Sequence, residues 1–178
     1  TSVSDDVDAT SVTLSATPSV AEGGAIVYTA TLTNAAQTPV SVTLSSGQTI
    51  TIAANATSGS ISIAAPGEDV YLDAGSVSRT IASATGGNFE SLTVNPAAAV
   101  TSITDTIDTT TVSITGDAAV AEGSTAAYTV SLTSPAQTAV TVNLTYSGVA
   151  ADGTDFNGVA SLTIPANAAR ILEYRSTS

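Results

Sequence analysis

Apolar and polar side chains alternate along most of this chain. Val12, Leu14 and Ala16 fall on one face of an extended segment, with Thr13 and Ser15 on the other. Ile26, Tyr28, Ala30 and Leu32 alternate with Val27, Thr29 and Thr31, and Val40, Val42 and Leu44 follow. The pattern resumes at Ile50 and Ile52, at Ile61 and Ile63, at Val77 and Ile81, and at Leu92 and Val94. A period of two in β-branched residues predicts half-buried antiparallel strands. Breakers separate the runs: Glu22-Gly23-Gly24, Asn34 to Pro39, Ser46-Gly47, Asn55 to Gly59, Pro66-Gly67 and Thr85-Gly86-Gly87-Asn88. No segment keeps helical spacing for ten residues. Seven short strands in about one hundred residues predict an all-β, immunoglobulin-like antiparallel sandwich. Arg79 is in phase with Val77 and Ile81. It is expected either at the rim with its head in water or beside a bulge.

The pattern then starts again. Val20-Ala21-Glu22-Gly23 returns as Val120-Ala121-Glu122-Gly123, one hundred positions on, and Tyr28, Leu32, Gln37, Val40, Val42 and Leu44 recur at the same offset. Repetition at domain length predicts tandem sandwich domains. The expected division is an inter-repeat linker at 1–8, a full repeat at 9–104, an acidic linker at 105–111 and a partial second repeat at 112–178. Thr51-Ile52-Ala53-Ala54-Asn55 reappears as Thr163-Ile164-Pro165-Ala166-Asn167, now 112 positions on, so twelve residues have entered the second repeat. From about residue 170 the tail, with Arg170 and Arg175, has no counterpart in the first repeat. It reads as a foreign tail or a strand recruited from one. The second repeat thus lacks its last two strands, which leaves a raw sheet edge for a neighbouring chain to pair with. A start inside a seam and a curtailed second repeat read as a piece of a longer protein.

Composition removes whole classes of chemistry. The 178 residues include no Cys, His, Met, Trp or Lys. Zinc fingers, thiol nucleophiles, histidine bases and disulfides are excluded. No nucleophile–base pair can be assembled except from carboxylates or hydroxyls, so no enzyme is expected. The net charge is −12, from fifteen carboxylates against three arginines. Nucleic acid and anionic membrane surfaces are disfavoured as partners. No apolar run approaches the roughly 18 residues of a membrane span, so no membrane insertion is expected.

The carboxylates cluster once the sandwich is assumed. Glu22 lies in the loop after the first strand. Glu68, Asp69 and Asp73 lie in the loop before the sixth, and Asp105 and Asp108 in the exit linker. In such a sandwich those loops share one pole. In the second repeat Glu122 occupies the first of these loops, and the insertion adds Asp152 and Asp155 at the same pole. Carboxylates gathered without basic partners either raise their pKa values or hold a cation. Oxygen ligands on flexible loops suit Ca²⁺ rather than zinc. The competing reading is a solvated acidic surface that keeps an alanine-rich protein soluble. Asp69-Val70-Tyr71-Leu72-Asp73 is no EF-hand loop, and Asp152-Gly153-Thr154-Asp155 also reads as a plain turn. Asp69 and Asp73 as a glycosidase pair would need an aromatic sugar platform, which is missing.

Several segments together resemble the long tandem repeats of giant bacterial adhesins of the LapA type. They are Ser19-Val20-Ala21-Glu22-Gly23-Gly24, Ile26-Val27-Tyr28-Thr29-Ala30, Thr49-Ile50-Thr51-Ile52, Asp69-Val70-Tyr71-Leu72-Asp73-Ala74-Gly75 and Ala84-Thr85-Gly86-Gly87-Asn88-Phe89-Glu90. The second repeat resembles the Calx-beta-like variant of these modules, through Val120-Ala121-Glu122-Gly123 and Asp152-Gly153-Thr154-Asp155-Phe156. The resemblance implies immunoglobulin-like extender domains of RTX surface proteins exported by type I secretion. Such domains project ligand-binding regions from the bacterial cell surface for adhesion and biofilm formation, with neighbouring repeats of the same chain as partners. It also implies calcium at domain junctions, mapped here onto Glu22, Asp69, Asp73, Asp105 and Asp108. The alternatives are a module that itself binds a glycan or protein, or an accessory domain of a secreted hydrolase.

Overall fold

Wherever the alternation is strict, the backbone is extended. The structure, a computed structural model, describes residues 7–121, 124–148, 152–153 and 156–177, the last six through the backbone alone. No helix occurs among the described residues, so none could cross a membrane. The chain divides into two compact units, Thr1–Ile107 and Asp108–Ser178.

Unit 1 has ten strands: β1 (Ala9–Ala16), β2 (Ser19–Ala21), β3 (Ala25–Leu32), β4 (Val40–Leu44), β5 (Thr49–Ile52), β6 (Ser58–Ala64), β7 (Gly75–Arg79), β8 (Ile81–Gly86), β9 (Ser91–Val94) and β10 (Ala99–Thr104). One sheet has the order β6-β3-β1-β9. Facing it are two three-stranded sheets, β5-β4-β8 and β2-β10-β7. Those two meet where β7 runs into β8 at Thr80. The Ser45 N–H donates to the Thr80 carbonyl (2.9 Å), and the Thr80 N–H donates to Ser45 Oγ (3.2 Å). The inward positions of both layers form one core: Val12, Ile26, Tyr28 and Leu32 from the first, with Val40, Val42, Leu44, Ile50, Ile52, Ile81 and Ile103 from the second.

The structure departs from the seven-strand expectation in informative ways. Strand β10 was hidden because its inward residues are Ala99, Thr101 and Ile103, while the apolar Val100 points outward and is 54% exposed. Thr101 is fully buried and donates its hydroxyl to the Thr17 carbonyl (2.7 Å), so a polar residue holds a core position without an unmet bond. The segment at Leu92 and Val94 does not end the fold; it pairs in parallel with β1. Strand β5 is bonded to β4 and lies beside no other strand of its sheet. Arg79 is the last residue of β7, and the β4–β8 register slips between Thr43 and Leu44. Arg79 therefore keeps the phase of Val77 and Ile81, half-buried opposite Ala99, and the phase changes only past Ile81, where Ala84 packs against the core.

Unit 2 repeats part of this plan with β11 (Val112–Gly116), β12 (Thr125–Leu132), β13 (Val140–Asn143), β14 (Ser161–Ile164) and β15 (Arg170–Thr177). Its sheets are β11-β12-β15 and β13-β14. The atypical tail is a strand, antiparallel to β12. Among the described residues of unit 2, Ala126, Val130 and Ile164 are buried apolar side chains.

The Tyr28 side chain is 1% exposed, and its hydroxyl has no hydrogen-bond partner. A buried unmet polar group costs about 1–3 kcal/mol. Tyr28→Phe should therefore stabilise unit 1. Each 1 kcal/mol corresponds to about 4–8 °C in Tm for a domain of this size, which calorimetry can read. Ile52→Ala, which empties a fully buried site, should instead cost about 2–5 kcal/mol.

Candidate metal site

Strand β10 lies between β2 and β7, and its registers place three carboxylates side by side. Its parallel pairing with β2 ends at Thr104 opposite Ala21. The next residues on the two strands are Asp105 and Glu22. Its antiparallel pairing with β7 sets Ile103 opposite Gly75. Two residues further along, the same register sets Asp105 opposite Asp73. Glu22, Asp105 and Asp73 thus form one rung past the end of a three-stranded sheet. On each strand, residues two apart share a face, so Asp105 follows Ile103, whose side chain is in the core.

The local chain geometry holds the rung in place. The Glu22 N–H donates to the Thr104 carbonyl (3.1 Å), which continues the sheet by one bond. A tight turn follows, with the Gly24 N–H donating to the Ala21 carbonyl (3.1 Å). Gly23 has φ +67, which a type II turn requires at its third position and which glycine adopts without strain. The Gly23 N–H donates to the Pro66 carbonyl (2.7 Å), tying the turn to the segment that carries Glu68.

One oxygen from each of Glu22, Asp73 and Asp105 lies within 4.8 Å of the others. Oxygens that share one Ca²⁺ ion, each at roughly 2.4 Å from it, lie no more than about 4.8 Å apart, so the three are close enough to share one ion. Glu22 is only 8% exposed, and Asp105 is half-buried. Glu22 Oε2 and Asp105 Oδ1 are buried and have no hydrogen-bond partner. Buried carboxylate oxygens without donors are costly, and no basic side chain of the described residues stands among the three. A hard cation with oxygen preference fits this donor set, with backbone carbonyls or water completing the shell.

Without a cation, protons are the remaining means of reducing the repulsion. The Glu22 carboxyl is pushed up to about 7. The largest cause is its hydrogen bond with Asp73; burial comes next, followed by the negative charges of Asp73, Asp105 and Glu68.

The other acidic candidates have different surroundings. Glu68 is exposed, and its Cβ lies 3.6 Å from where a Cβ on Gly23 would be, close enough to add its charge to the group. Asp69 Oδ1 accepts the Tyr71 N–H (2.8 Å) and shapes its own loop outside the rung. Asp108 is exposed and belongs to unit 2. Asp152 Oδ1 accepts the Gly158 N–H (2.6 Å), and the Gly153 N–H donates to the Phe156 carbonyl (2.7 Å), so Asp152 closes a turn. Glu122 and Asp155 lie outside the described residues. The loop positions alone put Glu22, Asp73 and Asp105 at one pole. That they share a rung is not legible from alternation, because neither β2 nor β10 carries the usual pattern.

A hollow of about 420 Å³ in unit 1 is lined by Asp8, Asn34, Gln37, Asn88 and Glu90 among others. Its polar groups serve one another. Asn88 Nδ2 donates to Gln37 Oε1 (2.7 Å), and Glu90 Oε2 accepts the Asp8 N–H (2.6 Å). Phe89 packs against the core and closes over Gly87, where any Cβ would collide with its ring. The ring is therefore not a free stacking face.

Residues 8–106 and 108–168 match the model of the LapA domain family. Comparison with curated proteins gives no match.

The raised Glu22 carboxyl sets the sign of a pH effect. The folded state holds the Glu22 proton more tightly than the unfolded chain, whose ordinary value is 4.5. In chelator, this stabilising contribution is complete below pH 4.5 and is lost as pH rises through about 7. Thermal melts of the chain in EDTA should show Tm falling across that window, and Glu22→Gln should flatten the fall. An equal fall in the variant would assign the effect to other groups.

Proposed function

The chain belongs to the LapA domain family, and from that premise we propose that it is a calcium-stiffened structural extender module of a bacterial cell-surface adhesin. In this reading it works outside the cell, after type I secretion, and carries ligand-binding regions away from the surface for adhesion and biofilm formation. It performs no catalysis. The observation that carries the reading is the rung of Glu22, Asp73 and Asp105, with its two buried oxygens lacking donors.

A Ca²⁺ ion would supply positive charge to oxygens that otherwise repel one another. Glu22 would hold it from the turn after β2, Asp73 from the approach to β7, and Asp105 from the exit of β10. These three points are far apart in sequence, so tying them together cross-links unit 1. Asp105 matters most for an extender, because the chain leaves unit 1 within a few residues of it. The exit segment Thr104 to Thr111 has five threonines and two aspartates but no glycine or proline. Such a segment is neither a flexible Gly/Ser coil nor a polyproline rod. Anchoring its first aspartate would restrict how the chain enters the following unit. Extracellular calcium modules bind with dissociation constants of about 10⁻⁴–10⁻³ M. Sites of that strength fill in external fluids and stay empty in the cytosol, so the chain is loose during export and firm afterwards.

Calorimetry and scattering on the whole chain test this reading. Millimolar calcium should raise the Tm of unit 1 and narrow the distribution of particle dimensions. Asp73→Asn with Asp105→Asn should blunt both effects, while Asp69→Ala should leave them intact. Identical melting and scattering in calcium and in chelator would leave the rung as a proton-sharing acidic rim and end the proposal.

A further inference from the structure

Strand β6 ends its sheet in unit 1, with β3 on its inner side. It is seven residues long and keeps one register with β3, from Ala64 opposite Ala25 to Ser58 opposite Thr31. The main-chain bonds just past its two ends fix which residues face outward. The Leu32 N–H donates to the Thr57 carbonyl (2.7 Å), and the Ala65 N–H donates to the Gly24 carbonyl (2.9 Å). In an antiparallel pair the bonded positions recur at every second residue. Gly59, Ile61 and Ile63 therefore bond to β3. Ser58, Ser60, Ser62 and Ala64 turn their N–H and carbonyl groups the other way, off the edge of the sheet.

Natural sheets guard such edges with short strands, charges, prolines or bulges. The other outer strands of unit 1 follow that rule. Strand β2 has three residues, β5 and β9 have four each, and β7 ends in Arg79. Strand β8 meets β4 through a slipped register. Strand β6 has none of these guards, for Ser58-Gly59-Ser60-Ile61-Ser62-Ile63-Ala64 holds no charge and no proline. Its neighbours in the chain are neutral as well. The net charge is −12, yet no charged residue occurs from Gly23 to Gly67, the stretch that supplies β3, β4, β5 and β6. Inside this edge, β3, β1 and β4 are each bonded on both sides, so the edge lies where the order of a filled sheet stops.

We propose that the β6 edge pairs with the β6 edge of a second copy of this chain, antiparallel about a two-fold axis at Ile61. The strand is its own complement in that register. Ser58 meets Ala64 of the second copy, Ser60 meets Ser62, and Ile61 meets Ile61. Each outward N–H then finds an outward carbonyl, because every bonded pair joins two outward-facing residues. Serines stay beside serines on the exposed face, and the half-buried Ile61 and Ile63 stay on the core side. A slip of one residue would lose both matches. A patch that is its own partner closes into a dimer and does not propagate into a fibre. Charge favours this occupant, since two copies of an acidic chain meet here through neutral strands. An edge of seven residues buries less than the roughly 1,200 Å² of a lasting interface, so a single contact is weak. A tandem array multiplies weak contacts by linkage. The inference stands apart from the calcium reading, because the acidic rung plays no part in it.

The test is amide exchange of the whole chain, read residue by residue by NMR over a range of concentrations in EDTA. In dilute solution Gly59, Ile61 and Ile63 should be protected, and Ser58, Ser60, Ser62 and Ala64 should exchange fast. At the concentration that pairs half the chains, exchange at those four should slow by about twofold. Added salt, which screens repulsion between acidic copies, should move the effect to lower concentration. Ser60→Pro removes one outward N–H and none of the bonds to β3, a place where an edge strand tolerates proline. It should abolish the concentration dependence. Ser60→Lys with Ser62→Lys keeps every main-chain group and sets like charges opposite one another, and it should do the same. Exchange at the four residues that is independent of concentration overturns the proposal. So does a concentration dependence that survives both variants, which would assign the pairing to another surface.

Discussion

The feature on which most of unit 1 depends is the central place of β10 in its sheet. It is the last strand of the unit, yet it runs between one of the earliest, β2, and β7. Its parallel bonds to β2 close the sandwich across more than eighty residues of sequence. Loop closure of that span is costly in entropy, and the return is a sheet whose inward face is completed by Ala99 and Ile103. The same registers decide what stands just past the strand ends. Three chains leaving one sheet edge at one level must bring their next side chains together, and in this sequence those side chains are carboxylates.

Such a rung is unstable by itself. Burial of Glu22 beside Asp73 and Asp105 raises the energy of the fully charged state, and no arginine is placed to relieve it. The chain has two remedies that differ in kind. A proton neutralises one group and leaves the others as they were. A divalent cation attracts all three and joins the turn after β2, the approach to β7 and the exit of β10. In the extender role proposed above, a cross-link made only where the surrounding fluid is rich in calcium suits a module that bears load after export. The site's position at the exit of the unit, rather than on a face, fits a role in connection better than a role in recognition.

Among its described residues, unit 2 repeats part of the plan of unit 1. Its first, second and third long strands fold as their counterparts do. Small details repeat too: the Ala127 N–H donates to Asp117, as the Val27 N–H donates to Thr17 (3.0 and 3.1 Å). Yet side chains that form the heart of one unit lie at the surface of the other. In unit 1 the strands that carry those residues are bonded on both sides, and among the described residues of unit 2 their counterparts are bonded on one. Burial here is a property of pairing as well as of the residue itself.

The sequence alone determined the all-β class, the repeat length and the inward positions, because alternation has a period that only strands satisfy. Val12, Tyr28, Val42, Leu44 and Ile52 were legible as core for that reason. It also determined an acid-rich chain with no other metal-binding chemistry, and it gathered Glu22, Asp73 and Asp105 at one pole. It could not find β10, whose inward threonine and outward valine invert the usual pattern. It could not distinguish Asp69, which bonds to its own loop, from Asp73, four residues on. Those distinctions are made by register, a relation between strands distant in the chain. Only the tertiary structure aligned Asp105 with Glu22 on one side and Asp73 on the other, because hydrogen bonds between strands fix levels that no local pattern records.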